Sequence, residues 1–178
     1  MRYYCWLLLC SCSLPLSSWA EPAWLDTARN YLHVRETSPN CSRDIERFLR
    51  SVGLPCGYAW CAAFVRYCLD AGRARYPTVR SAAARAYVLR TSIPVKHVVK
   101  GYRTITRGWL AIWTHSASWT GHIGIVETVR DNAIVTIEGN TSPGSGINRD
   151  GDGVYRRTRT VPLVASTRLQ LRWFTPVQ

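Results

Sequence analysis

The chain has 178 residues and carries 23 Lys and Arg side chains against 11 Asp and Glu, a formal charge of +12 at pH 7. This length fits one domain with a core of its own. Hydrophobic residues make up 47% of the chain and charged residues 19%, a globular balance rather than the composition of a disordered chain. A charge this large attracts polyanions, but it does not by itself select one class of partner.

The first twenty residues have the pattern of an export signal. Arg2 supplies a positive start, an apolar stretch follows from Trp6, and 18–20 offer small residues at a cleavage position. The apolar run is too short for a spanning helix, which needs about 20 residues. We expect 1–20 to be a signal peptide and 21–178 to form a single domain that is periplasmic or extracellular. A buried N-terminal helix is the alternative.

Removing Arg2 with the signal leaves 22 basic and 11 acidic side chains, a charge of +11. Nearly all of the basic residues are arginines, and the only lysines are Lys96 and Lys100. An exported protein meets the anionic cell wall and anionic lipids before it meets nucleic acid. The arginines are also spread along the whole chain rather than clustered on one helix, so we expect no nucleic-acid partner.

Processing leaves four cysteines, which are Cys41, Cys56, Cys61 and Cys68. Disulfides form in an exported protein, so the chain holds either two bridges or one bridge, one working thiol and one buried thiol. The spacing favours the second arrangement. A bridge between Cys41 and Cys56 would staple the loop before Cys61, but the predicted helix between them separates its ends by roughly 14 Å. That bridge therefore requires the chain to double back after Gly53, and the pairing stays open.

Hydrophobic periodicity divides the processed chain into helices followed by strands. The predicted helices are 24–33, 43–52, 61–72 and an Ala-rich segment at 80–90, and 91–107 is assigned to a loop. The predicted strands are 109–113, 122–129, 133–138, 154–158 and 169–174. Helices first and an antiparallel sheet after them predict an α+β fold, with the N-terminal helices packed on the C-terminal sheet.

Cys61 opens an apolar helix directly after a loop that contains Pro55 and Gly57. The unsatisfied N–H groups and partial positive charge of a helix N-terminus stabilise a thiolate and can receive an oxyanion. The alternative is an ordinary buried cysteine. Cys68 lies seven residues on, about 10 Å along the helix axis, beyond the ~7 Å limit between bridged Cα atoms. We therefore predict that Cys68 is a core residue.

His122 begins a predicted strand near Gly121 and Gly124, which we expect to leave room for a substrate. Glu138 and Asn140 end the next strand and, being two apart, should project to one face. Either side chain could hold the His122 ring in the tautomer that accepts a thiol proton. The sequence leaves the choice between them open.

The hairpin between these strands tests that arrangement. A three-residue loop at 130–132, or an equivalent bulge, places His122 opposite Asn140 and Gly124 opposite Glu138. A two-residue loop without a bulge shifts the register by one and turns Glu138 away from the histidine.

His115 is a rival base, but it lies in a polar loop where most histidines are solvated. No pair of histidines and cysteines has the spacing of zinc ligands, so we predict neither a catalytic metal nor a cofactor. Asp150 and Asp152 could supply oxygen ligands to calcium. Because no glutamate follows at the distance of a calcium loop, a tight turn is the favoured explanation of these two residues.

Three motifs in this order resemble the CHAP family, the cysteine- and histidine-dependent amidohydrolases and peptidases of the papain-like clan. The matching segments are 60–65, 121–126 and 138–141, with a further fit at 148–155. The resemblance spans roughly 24–160. Ala59 stands where the family commonly has proline, and Arg107-Gly108-Trp109 replaces a commoner Pro-Gly-Asp turn.

By this resemblance Cys61 is the nucleophile, His122 is the general base, and Glu138 with Asn140 are the orienting groups. The family's usual substrates are peptidoglycan amide bonds, either the sugar–peptide amide or bonds within the stem peptide. The hypothesis is thus a monomeric cell-wall hydrolase that works through a cysteine acyl-enzyme, with no stable membrane insertion after processing. The alternative is a non-catalytic wall-binding protein of the same fold.

Overall fold

The structure is a computed structural model that describes residues 20–115, 119–144, 151–161 and 169–178. Apart from Ala20, the predicted signal segment lies outside these ranges. No helix among the described residues is long and apolar enough to cross a bilayer. The helices are α1 (Ala23–Asn30), α2 (Arg43–Arg50), α3 (Cys61–Ala71) and α4 (Val95–Val99). The strands are β1 (Ile93–Pro94), β2 (Leu110–His115), β3 (Gly121–Arg130), β4 (Ala133–Thr141), β5 (Gly153–Thr160) and β6 (Leu169–Thr175).

The six strands form one antiparallel sheet in the order β1-β6-β2-β3-β4-β5. Helix α3 packs against β3 and β4, and α1 and α2 pack against α3. Apolar residues therefore gather in two clusters. The larger one joins the helices to β3 and β4 through residues such as Phe64, Ile123 and Ile137, and the smaller one includes Trp113, Val126 and Phe174. The predicted α+β class, with helices first and an antiparallel sheet after them, is confirmed.

Helices α2 and α3 begin where the sequence predicts. Ser42 caps α2 by accepting a hydrogen bond from the backbone N–H of Ile45 at 3.4 Å. Gly72 follows α3, but its φ is −82°, so it is not a left-handed cap. A Cβ on Gly72 would lie 2.3 Å from the backbone nitrogen of Trp24. The glycine is thus required by the close approach of α1, while the left-handed residue is Arg73 with a φ of 52°.

The predicted Ala-rich helix over 80–90 is wrong, because only a short 3₁₀ turn (Ala84–Tyr87) forms there. The hydroxyl of Tyr87 is within hydrogen-bonding distance of the carbonyl oxygens of Ala62, Val79 and Ser81, at 3.1–3.4 Å. The chain wraps around this buried ring, and a short isolated helix has too little stability of its own to resist such contacts. The assignment of 91–107 to a loop is also incomplete, since it contains β1 and α4.

The hairpin between β3 and β4 has a two-residue loop, so the predicted register is reached through the equivalent bulge and not through the three-residue loop. Arg130 pairs with Ala133, and the register then shifts between Val126 and Thr128. This bulge, at Glu127, supplies the extra residue that the longer loop would have supplied. Beyond the bulge Ile125 pairs with Ile137, the register predicted from the sequence.

Two arginines bind the side chain of Glu127 at this bulge. Its carboxylate accepts hydrogen bonds from Arg29 of α1 at 2.7 Å and from Arg156 of β5 at 2.7 and 3.0 Å. Burial would raise the pKa of Glu127, but these arginines keep it below its usual value. The ion pairs thereby stabilise the bulge that brings the end of β4 into register with His122.

Candidate active site

Cys61 is the first residue of α3, and its side chain is buried with 5% of its surface exposed. The side chain of the preceding residue, Trp60, does not cap the helix. Its indole N–H instead donates to Glu36 at 3.0 Å, and the other oxygen of that carboxylate accepts from the backbone N–H of Asn40 at 2.8 Å. Glu36 therefore ties the loop between α1 and α2 to the residue next to Cys61.

Cys41 and Cys56 form a disulfide, with their Cα atoms 5.1 Å apart. The chain doubles back at Gly53, which has a φ of +78°. The backbone N–H of Gly57 then donates to the carbonyl of Asn40 at 3.1 Å. The turn that this bridge requires is thus present. The pairing of Cys41 with Cys56, which the sequence left open, is settled, and Cys61 and Cys68 are free thiols.

We expect removal of this disulfide to destabilise the loop that presents Cys61. A bridge closing about 15 residues contributes about 3 kcal/mol, chiefly by restricting the unfolded chain. The double variant Cys41→Ser/Cys56→Ser should lose about that much free energy of unfolding in urea titrations. Dithiothreitol should weaken the parent protein by a similar amount and leave the double variant unchanged. An equal response of both proteins to the reductant would contradict this assignment.

The start of β3 and the end of β4 meet the start of α3 at a pocket of about 130 Å³. Its lining includes Cys61, His122 and Asn140, and Ala59 also borders it. The His122 side chain is buried with 3% exposed. The sequence-predicted cysteine and histidine are thus brought together, although they are 61 positions apart in the chain.

Glu138, rather than Asn140, contacts the histidine. Its Oε2 lies 2.8 Å from Nε2 of His122, and its Oε1 accepts a hydrogen bond from Thr136 at 2.6 Å. Gly124 makes room for this carboxylate, because a Cβ there would lie 2.6 Å from Cγ of Glu138. The expectation that Gly124 leaves space for a substrate is therefore replaced by a packing reason.

Asn140 does not join Glu138 at the histidine, although two residues that are two positions apart in a regular strand project to the same face. The register between β4 and β5 shifts between Glu138 and Thr141, and Asn140 adopts a left-handed φ of 54°. Its Oδ1 is buried and makes no hydrogen bond within the described part of the chain. Such a conformation costs about 1–3 kcal/mol in a non-glycine residue. Asn140 thus lines the pocket as an available polar group.

The sequence analysis did not predict Arg159, which contacts Glu138 behind the pocket. Its side chain is 5% exposed, and it donates to Glu138 through Nε at 2.9 Å and Nη2 at 2.5 Å. Its guanidinium also lies 5.5 Å from the ring centre of Trp113, which in turn lies 5.7 Å from the His122 ring. The available signal was the alternation in β5 that puts Arg157 and Arg159 on one face, but alternation does not say which face is buried.

Electrostatics favours a charged histidine at neutral pH. Burial lowers the pKa of His122, but the charge of Glu138 and hydrogen bonds to Cys61 and Glu138 together raise it to about 9. Since Glu138 occupies Nε2, Nδ1 is the nitrogen left for the Cys61 sulfur. Burial would raise the pKa of Glu138, but His122 and Arg159 hold it well below its usual value. The pair is thus an imidazolium and a carboxylate.

The sequence model of the CHAP domain matches residues 53–140. The chain belongs to the CHAP family. The matched segment is shorter than the resemblance over 24–160, but it contains Cys61, His122, Glu138 and Asn140 and ends before Arg159. CHAP membership is typical of amidases and peptidases that act on peptidoglycan. No curated protein and no solved structure gives a significant match to the chain.

Two other residues that the sequence analysis considered, Cys68 and His115, do not line the pocket. Cys68 is a free thiol with no exposed surface, and burial raises its pKa well above the usual value. This confirms the prediction of a core residue. His115 ends β2 and does not line the pocket.

One of the two aspartates considered for calcium lies among the described residues. Asp150 lies outside the described residues, while Asp152 accepts a hydrogen bond from the Tyr155 hydroxyl at 3.0 Å. Among the described residues no group of three or more His, Cys, Asp and Glu side chains could hold a metal ion.

The raised pKa of His122 predicts how stability changes with pH. Between the usual value of 6.5 and the folded value of about 9, the folded chain binds more protons at His122 than the unfolded chain does. This stabilisation is complete below pH 6.5 and is lost as the pH rises through 9, an effect on the order of 1–3 kcal/mol. Urea unfolding of the parent and of His122→Asn from pH 6 to 10 should show the difference between the two proteins shrinking. A constant difference would contradict the assignment.

Proposed function

We propose that this CHAP protein is an exported cysteine hydrolase of papain-like architecture that cleaves amide bonds of peptidoglycan. The observation that carries the proposal is the buried imidazole of His122, with a carboxylate on one nitrogen and the Cys61 thiol within hydrogen-bonding reach of the ring. This is the arrangement needed to activate a cysteine nucleophile. Its placement at the start of α3 adds the electrostatic contribution of a helix N-terminus.

We propose that Cys61 reacts as a thiolate, whose charge would balance the charges of the buried side chains around it. At neutral pH, Glu138 carries −1, Arg159 carries +1 and His122 carries +1, so these three side chains together leave one positive charge beneath the pocket. A thiolate on Cys61 neutralises it. The proton of the thiol then resides on His122, and Glu138 holds that ring in place.

In the first half of the reaction the thiolate attacks the carbonyl carbon of the scissile amide. The carbonyl oxygen becomes an oxyanion, which backbone N–H groups at the start of α3 are placed to stabilise. His122 donates its proton to the amide nitrogen, the C–N bond breaks, and the amine leaves. The acyl group remains on Cys61 as a thioester.

In the second half a water molecule gives a proton to the neutral His122 and attacks the thioester carbonyl. The C–S bond breaks, releasing a carboxylic acid and restoring the thiolate with its imidazolium. Asn140 is the group that we assign to the substrate rather than to the histidine. Its buried amide faces the pocket without a protein partner for Oδ1, so it can hydrogen-bond to the amide that is cut.

Mass spectrometry of fragments released from purified peptidoglycan tests this function and identifies the bond. A sugar–peptide amidase releases whole stem peptides with a new amino terminus and leaves intact glycan strands. An endopeptidase releases shortened stem peptides with new amines inside the stem or the cross-link. Release of neither product by the purified protein would overturn the proposal.

Export and charge fit the same substrate. The proposed signal peptide and the Cys41–Cys56 disulfide support export to an oxidising compartment. The charge of +11 on the processed chain would hold it on an anionic wall, and activity should fall as salt screens that attraction.

A further inference from the structure

Most of the net positive charge of the chain lies in one long segment, because that segment has no acidic residue. Residues 71–126 contain nine Lys and Arg side chains and no Asp or Glu. Both lysines of the chain, Lys96 and Lys100, lie within this segment, on and directly after the short helix α4. They are exposed, and being four positions apart they lie on the same side of the helix.

A groove of about 540 Å³ opens beside these lysines, between α4 and strand β6. Lys96, Lys100 and the exposed Arg172 of β6 contribute its cations, and none of its described lining residues is acidic. Buried Leu171 and half-buried Trp173 provide apolar lining. The groove is separate from the catalytic pocket, which is formed by α3, β3 and β4 on the far side of β2 in the sheet order.

Apolar side chains are exposed among these cations. Val99 lines the groove with 49% of its surface exposed, and Tyr102 follows with 68% exposed. Two lysines four apart repel each other and destabilise a helix as short as α4. An anionic partner would remove that repulsion, and a partner with an apolar layer would also cover Val99 and Tyr102.

We propose that this groove docks the protein on an anionic bilayer surface, with lipid phosphate groups at Lys96, Lys100 and Arg172. A bilayer interface accepts cations at the headgroups and apolar or aromatic side chains just beneath them. A hydrophilic polyanion would satisfy the lysines but leave Val99 and Tyr102 in water. The contact is peripheral, and it would hold the catalytic domain beside the membrane without insertion.

Sedimentation with vesicles tests the proposal on the processed protein. Vesicles of phosphatidylcholine with one third phosphatidylglycerol should bind the protein, and pure phosphatidylcholine should bind it far less. Each lysine near an anionic surface strengthens binding by about fivefold, so Lys96→Gln/Lys100→Gln should weaken binding by about 25-fold. Val99→Ser should weaken binding to vesicles severalfold and leave binding to soluble dextran sulfate unchanged.

The matched control is Arg43→Gln/Arg50→Gln, which removes the same charge from exposed positions of α2. It should weaken vesicle binding much less than the lysine pair does. Equal losses in the two double variants would show a diffuse charge effect and overturn the groove as the site. Tighter binding to dextran sulfate than to vesicles, with no effect of Val99→Ser, would identify a polyanion site instead. Hydrolysis of soluble peptidoglycan fragments is independent of this site, so its loss or retention tests the proposed function separately.

Discussion

Replacing Cys61 with alanine is expected to lower hydrolysis of peptidoglycan on the order of 10⁴-fold or more, because the acyl-enzyme cannot form without the sulfur. The side chain is small and lies at the start of α3, so the fold should survive. Binding of the variant to insoluble peptidoglycan should be retained, since the charge of the protein is otherwise unchanged. Turbidity loss measures hydrolysis, and co-sedimentation with the wall measures binding.

The matched control is Cys68→Ala in the same helix. Cys68 is fully buried and free, so its truncation should cost some stability while the rate of hydrolysis per folded molecule stays near that of the parent. Iodoacetamide should likewise inactivate the Cys68→Ala variant as it inactivates the parent. Unchanged hydrolysis by Cys61→Ala would overturn the nucleophile assignment. A parent protein that binds the wall and never hydrolyses it would favour the non-catalytic alternative.

Replacing Glu138 with glutamine should produce the second large effect. The amide keeps the shape of the side chain but removes the charge that raises the pKa of His122, so burial then favours the neutral ring. We expect the rate to fall by about 10²–10⁴-fold and the alkaline limb of its pH profile to move below pH 9. A kcat profile from pH 5 to 10 measures both. An unmoved alkaline limb would contradict the role of Glu138.

Arg159 separates the structural and catalytic effects of this substitution. Glu138→Gln leaves a buried guanidinium without its carboxylate, which costs about 3–5 kcal/mol. The double variant Glu138→Gln/Arg159→Met removes both charges and should recover part of that free energy of unfolding, but not the rate. Recovery of the rate together with stability would mean that Glu138 acts only through folding. Arg159 would then be a partner in packing rather than a positioning residue for Glu138.

The elements predicted from local patterns mostly formed, while the failures share one cause. Helices α2 and α3 and the five longer strands follow from short-range periodicity and capping, which a sequence displays directly. The segment 80–90 has good helix formers, but the buried ring of Tyr87 gathers carbonyls from Ala62 and Val79. Contacts between positions far apart in the chain override a propensity worth only a few tenths of a kcal/mol per residue.

The candidate site divides in the same way. The types and order of its groups were predictable, because a cysteine opening a helix and a histidine opening a strand are local features. The choice between Glu138 and Asn140 was not, because a bulge and a left-handed residue separate two side chains that ideal alternation would place together. The register of their hairpin likewise depends on Glu127, whose partners come from α1 and β5.

By itself the sequence determined the α+β class, the helix that begins at Cys61, the strand with His122 near its start and the family resemblance. Only the tertiary structure decided that Glu138 holds the histidine, that Arg159 neutralises Glu138, and that Cys41 is bonded to Cys56. The physical reason is the distance along the chain over which each interaction acts. Periodicity and helix electrostatics act over one or two turns, whereas a buried charge is fixed by partners that only packing brings together.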